Sequence, residues 1–159
     1  MATLIGLNPT EVYSALTGGK TFGLGDVAED HAGKKYVYVK ATSAIAIYDV
    51  VTYDETYNTT VAPVTTTNGA RGDKLGVAPV AIASGSYGWL QIYGPCTINV
   101  AADCNPNVEL TLTSVAGVLD DATTASLDVA DGIIQTAASA SAAATKAAIL
   151  NFPAVGRTL

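Results

Sequence analysis

The sequence has few charged residues, no long apolar run and no basic segment at its start. Charged residues make up 14% of the 159 residues, against roughly 25% in a typical soluble domain. No segment approaches the ~20 consecutive apolar residues that a membrane-spanning helix needs, so we expect no membrane partner. Residues 1–12 hold no basic side chain and no continuous apolar core. We therefore expect no signal peptide, and a soluble protein that is made in a cytoplasm.

Cysteine and histidine are also scarce, which removes the usual metal ligands and nucleophiles. Cys96 and Cys104 form no CxxC pair and His31 is the single histidine, so a zinc site lacks ligands. We expect two small buried thiols; the alternative, a disulfide across a local turn, needs an oxidising compartment. His31 lies in a polar loop without a neighbouring nucleophile. The sequence thus predicts no catalysis, no cofactor and no metal.

Acidic residues outnumber basic ones, and the net charge is −6 with an isoelectric point near 4.4. An acidic surface repels phosphate backbones, so we expect no nucleic-acid partner. Asp120, Asp121, Asp128 and Asp131 lie close together in the sequence, and such hard oxygen ligands could hold Ca²⁺. Their spacing is not that of an EF-hand, and aspartate is a common turn residue. We predict turns here, with an incidental cation site as the alternative.

Two short motifs match functional patterns only superficially. Residues 14–21, "SALTGGKT", lack the first glycine of a phosphate loop and follow a predicted helix instead of opening one. Residues 71–73, "RGD", match a cell-adhesion tripeptide, but Gly72 and Asp73 are also what a turn before a strand requires. We interpret the first as the end of a helix and the second as a turn.

Short segments rich in Thr, Val and Ile, separated by turn residues, predict a mainly β protein. We expect an antiparallel β-sandwich or a small β-barrel over residues 26–159. Residues 1–25 are predicted to be an N-terminal arm with a short helix of about nine residues. Asn8 is its expected cap, Pro9 its first residue and Glu11 the side chain that reaches back to the cap.

Residues 86–100, "SYGWLQIYGPCTINV", alternate between two faces, which is typical of a strand. One face is aliphatic and small and belongs in a core. The opposite face carries large aromatic side chains, as does the strand "KKYVYVK". We predict that these aromatic residues form an interface, unless the strand parity is inverted or the arm or another sheet covers them. The predicted interface residues are Tyr36, Tyr38, Tyr87, Trp89 and Tyr93.

The order of segments resembles the small capsid decoration, or cement, proteins of tailed bacteriophages. The resemblance covers about residues 24–155, and it is best in the "LGVA…SGxYGWxQxxG" region, where a strand, a turn and a strand follow one another. It implies a mostly β body on the outer surface of an icosahedral phage head, where it reinforces the shell. The implied partners are the major capsid protein and further copies of the chain, often as a homotrimer, with assembly in the host cytoplasm.

Three other functions remain open from the sequence. The main alternative is a carbohydrate-binding or adhesion module, because an aromatic sheet face can also stack on sugar rings. Gln91 and Asn99 are the nearby amides that would hydrogen-bond sugar hydroxyls. A shell or tail-tube subunit would be another virion component, although no long helix is predicted. A small hydrolase lacks a visible set of titratable residues.

Overall fold

A computed structural model describes residues 8–14, 22–61, 71–123 and 125–159, and these residues form ten β-strands and no α-helix. Accordingly, no helix of this part of the chain has the length and hydrophobicity to cross a membrane. The mainly β class is confirmed. The strands are β1 (Val27–Glu29), β2 (Lys35–Ala41), β3 (Val50–Tyr53), β4 (Asn58–Val61), β5 (Lys74–Val77), β6 (Tyr87–Val100), β7 (Thr111–Leu112), β8 (Val118–Asp120), β9 (Asp128–Gln135) and β10 (Ala144–Thr158).

The predicted helix that starts after Asn8 is wrong over residues 8–14, because these residues form a single turn and then an extended segment. Asn8 Oδ1 accepts hydrogen bonds from the amide and the hydroxyl of Thr10, and the Glu11 amide donates to the Asn8 carbonyl. The chain is then extended, and Tyr13 pairs with Tyr87 of β6. A short isolated helix is marginal in water, whereas pairing with β6 supplies tertiary contacts. The remainder of the predicted helix, residues 15–17, lies outside the described residues.

The strand pairs form one sheet whose pairings close two circuits that share β6. The first circuit runs β2–β4–β3–β5–β6 and returns to β2, and the second runs β6–β8–β7–β9–β10 and returns to β6. Pairing is antiparallel except between β2 and β4 and between β6 and β8, which are parallel. The expected all-antiparallel arrangement is therefore wrong at these two pairs. β4 pairs with β2 on one side and with β3 on the other, so it is an interior strand of the sheet.

Each circuit has its own hydrophobic cluster. The first cluster includes Val39 of β2, Val51 of β3 and Leu90 of β6. The second includes Leu112 of β7 and Leu150 of β10, together with residues of β3, β5, β6, β8 and β9. β3 contributes Val50 to the second cluster and Val51 to the first, so this strand lies between the two cores.

β6 joins the two cores because it is 14 residues long, with a change of backbone conformation at Gly94. Leu90 and Ile92 pack in the first cluster, and Ile98 and Val100 pack in the second. Gly94 has a φ of +91°, a conformation that glycine adopts without the strain that a side chain would impose. One face of this single strand therefore contributes to both clusters.

Candidate functional site

Three of the five predicted interface residues are buried within the subunit. Tyr36, Tyr38 and Trp89 expose 3%, 0% and 0% of their surface. They form a third cluster that is covered by Tyr13, Phe22 and Leu24, which belong to the predicted arm. The prediction that Tyr36, Tyr38 and Trp89 lie at an interface is therefore wrong for this subunit, because a side chain without accessible surface cannot contact a neighbour.

Edge-to-face ring contacts fix the arm over this cluster. The Phe22 ring centroid lies 5.1 Å from that of Trp89 and 5.4 Å from that of Tyr38. The Tyr13 ring lies 6.1 Å from the Tyr38 ring, again edge to face. Within the described residues, the Trp89 indole nitrogen has no hydrogen-bond partner. The aromatic face of β6 is thus part of the subunit core, as one of the sequence-based alternatives foresaw.

Tyr87 and Tyr93 are the two predicted interface residues that keep accessible surface. Tyr87 is half-buried and stacks on Tyr38, with 13° between the ring planes. Tyr93 is 38% exposed, and its ring lies 5.3 Å from that of Phe152. The Lys35 ammonium lies 5.9 Å from the centre of the Tyr93 ring, which places a positive charge at the edge of this pair. Their role at an interface stays a prediction.

A larger exposed surface lies on the outer side of β9, β10 and β6, and we call it the uncharged face. The Ile149 side chain of β10 is 49% exposed and stands beside Ile134 of β9 on one side and Pro95 of β6 on the other. None of its side chains carries a charge at pH 7. The face consists of Tyr93, Pro95, Ile134, Ile149 and Phe152.

Phe152 reaches this surface because β10 bulges between Leu150 and Ala154. Its φ of +48° is rare for a large side chain, and its ring is 52% exposed. Pro153 is a residue that commonly ends a strand, because it has no amide hydrogen to donate. Instead the strand continues to Thr158, because the missing amide of Pro153 falls in the bulge, where no ladder hydrogen bond is required.

The two cysteines are free thiols that do not pair with each other. Cys104 is fully buried, and its Sγ donates to Gln135 Oε1 at 3.0 Å. Burial, together with the nearby Asp121 and Asp120 carboxylates, raises the pKa of Cys104 to about 11. Burial also raises the pKa of Cys96 to about 12, against the opposing effect of Lys34. Such protonated thiols are poor nucleophiles.

The four aspartates between positions 120 and 131 do not come together. Asp120 and Asp121 lie near Cys104, with one donor atom of each within 4.8 Å of the others. Asp121 Oδ2 already accepts two hydrogen bonds from Asn105, which lower the pKa of that carboxyl group. Asp128 is buried and accepts a hydrogen bond from Thr158, while Asp131 is exposed. The predicted turns are wrong at three of these aspartates, since Asp120 lies in β8 and Asp128 and Asp131 lie in β9.

The remaining motifs add no chemistry. The predicted turn at the "RGD" tripeptide is confirmed: Gly72 has a φ of +99°, and its amide donates to the Val155 carbonyl at 2.8 Å. His31 is exposed in a turn between β1 and β2. The "SALTGGKT" segment lies outside the described residues except for Ser14.

Comparison with known proteins finds no matching family model and no curated protein with significant sequence similarity. The fold is similar to a crystal structure of the N base of the head fiber protein gp8.5 in bacteriophage phi29. The TM-score is 0.50 and the sequence identity 11%, over 77% of this chain and 98% of that chain. At this identity the likeness establishes a shared fold alone.

Proposed function

We propose that this chain is a structural protein of a bacteriophage virion, a decoration or cement protein that binds the outer surface of the head and reinforces it. The observation that carries the proposal is the fold, which is similar to nearly the whole length of the phi29 head fiber base. The strand, turn and strand of residues 75–94, which resemble phage cement proteins, add support from the sequence.

The uncharged face is the surface that best fits attachment to a shell. Tyr93 and Phe152 offer two rings in contact, and Ile134, Ile149 and Pro95 extend the apolar surface across three strands. Because no side chain of this face is charged, binding through it avoids the free-energy cost of desolvating a charge. We expect modest contacts for each copy of the chain, on a head that carries many copies. Attachment therefore relies on several contacts per assembly, whose strengths combine through avidity.

The proposed partners are the major capsid protein and further copies of the chain, as a homotrimer, assembled on heads in the host cytoplasm. The proposed role needs no catalysis; burial keeps both thiols protonated near neutral pH, and His31 is exposed. The rival function, a sugar-binding module built on the aromatic sheet face, loses its platform because Phe22 and Tyr13 cover Trp89.

We also propose that each circuit of strands is a small barrel. The support comes from the pairing of strands back to the starting strand and from the separate hydrophobic cluster of each circuit. A barrel would explain why β1 has a single strand partner, whereas the strands of the circuits pair on both sides.

The test is co-sedimentation of the purified protein with matching expanded heads that lack it. We expect saturable binding at a fixed ratio to the major capsid protein, and heads that then survive heating or chelation for longer. Three bound copies of the chain at each three-fold position of the head would support the homotrimer. Binding to no form of the head, expanded or unexpanded, would overturn the proposed role.

A further inference from the structure

A cavity of about 400 Å³ lies on the side of β6 that faces the arm turn. Its wall comes from distant parts of the chain: Pro9 of the arm, Lys34 before β2, Tyr48 before β3, Pro79 after β5 and Gln91 of β6. This volume falls within the range of roughly 300–1,000 Å³ that is typical of small-molecule sites. The cavity lies beside the uncharged face, with which it shares Pro95.

Gln91 supplies a fixed hydrogen-bond acceptor to this cavity. Its side chain is almost completely buried, with 4% of the residue exposed. The amide nitrogen donates to the carbonyl oxygens of Tyr93 and Pro95, at 3.1 and 2.9 Å. These two bonds hold the planar amide in one orientation, and Oε1 accepts no hydrogen bond from the described residues. A polar atom that is held in place without a partner and lines a cavity is a ready ligand contact.

Tyr48 supplies an aromatic surface in a conformation that is held under strain. Its φ is +67°, which is unfavourable for a bulky side chain. The backbone is held there because the Tyr48 amide donates to the Ala78 carbonyl at 2.8 Å and its carbonyl accepts from the Asn99 amide at 3.1 Å. Residues kept in such conformations are enriched at ligand sites. The half-buried ring of Tyr48 lines the cavity.

Lys34 is the one charged residue of the cavity wall. No carboxylate of the described residues lies within ion-pair distance of its ammonium group. Its aliphatic stem packs over Gly94, where a Cβ would lie 3.2 Å from Lys34 Cγ. A positive charge without a carboxylate partner favours an anionic group of a ligand beside Lys34.

We propose that the cavity binds an anionic sugar, a hexuronic acid unit of an acidic polysaccharide. The aliphatic face of the sugar ring stacks on Tyr48, as sugar rings do on aromatic side chains. A ring hydroxyl donates a hydrogen bond to Gln91 Oε1, and the Lys34 ammonium donates to the sugar carboxylate. An acidic peptide fits less well, because its carboxylate side chains offer no ring face to stack on Tyr48.

The test is calorimetric titration of the full chain with a galacturonic acid oligosaccharide and with the matching neutral galactose oligosaccharide. We expect saturable binding of the acidic sugar that is at least about tenfold tighter than that of the neutral sugar. Lys34→Met removes this preference. Tyr48→Asn weakens binding of both sugars at least about tenfold while keeping the fold, since asparagine tolerates a positive φ. Phe152→Asn is the matched control, because Phe152 is also an aromatic residue with a positive φ but lies outside the cavity. We expect this variant to bind both sugars as the unsubstituted chain does.

Three results would overturn this proposal. One is the absence of saturable binding of either sugar. Another is acidic sugar binding that Lys34→Met and Tyr48→Asn leave unchanged. The third is equally tight binding of a glutamate oligomer, which would mean that the site recognises charge and not a sugar. The titration uses the isolated protein, so failure to bind heads and failure to bind sugar are separate outcomes.

Discussion

Tyr13 and Tyr87 exchange two backbone hydrogen bonds, both 2.9 Å long, and this pair joins the N-terminal arm to β6. The Phe22 ring packs against the same region, 5.1 Å from Trp89. At Tyr13 and Phe22 the arm therefore packs on the aromatic cluster and is part of the folded subunit. Loosening either contact should expose Trp89, which is the single tryptophan of the chain.

Phe22→Ala should lower the free energy of unfolding by about 2 kcal/mol, because a partly buried ring loses its contacts with Trp89 and Tyr38. The fluorescence emission of Trp89 should shift to the red as water reaches the indole. Phe152→Ala is the control, since that ring is half-exposed and distant from this cluster. Unchanged emission in Phe22→Ala would mean that the arm does not shield Trp89 in solution.

β5 and β6 approach each other closely at Gly76. A Cβ at Gly76 would lie 2.8 Å from Leu90 Cβ, an atom fixed to the backbone. Gly76→Ala should therefore cost about 1–3 kcal/mol of stability in urea unfolding. Gly88→Ala is the matched variant: its Cβ would lie 2.7 Å from Ile82 Cδ1, the end of a side chain that can turn away. Equal losses in the two variants would contradict a rigid contact at Gly76.

Local alternation was enough to predict strands such as β2 and β6, because a period of two is a property of neighbouring residues. It could not tell which face of β6 meets water. The odd-numbered face at Trp89 is covered by Tyr13 and Phe22, which are far away in the sequence. A strand that is buried on both faces carries apolar residues on both. The aromatic side chains on the second face of β6 were therefore the sequence signal that this face is also buried.

Other features depend on contacts that no local pattern encodes. The parallel pairs β2–β4 and β6–β8 join segments whose order in the sheet differs from their order in the sequence. Asn8 has the sequence of a helix cap, but the same side chain also caps a single turn, and tertiary pairing at Tyr13 decided between the two. The cavity at Gln91 needs wall residues from several separate segments, so only the folded chain reveals it.

The two buried thiols should make stability fall at alkaline pH. Burial raises the pKa of Cys104 to about 11 and that of Cys96 to about 12 in the folded state, whereas an unfolded thiol ionises near pH 8.5. Below about pH 8.5 both states keep the proton and stability does not change. Above it, only the unfolded state releases protons, so stability should fall by about 1 kcal/mol per pH unit for each thiol.

The measurement is the urea midpoint between about pH 8 and 9.5, a range that lies below the ordinary tyrosine pKa of about 10. Cys104→Ala should show a shallower fall than the unsubstituted chain, even if its stability is lower at every pH. Identical slopes would mean that the Cys104 thiol ionises equally in the folded and unfolded states. Slow reaction of both thiols with a disulfide reagent at neutral pH should accompany the raised pKa values.

Ile149→Lys should separate head binding from folding. Ile149 is 49% exposed at the centre of the uncharged face, so a lysine there should change stability by less than about 0.5 kcal/mol. Its charge would have to be desolvated against the shell, and binding to expanded heads should weaken at least about tenfold. Val115→Lys is the matched control, because Val115 is 60% exposed and lies outside this face. If Val115→Lys weakens binding and Ile149→Lys does not, attachment uses the β7–β8 turn and not the uncharged face.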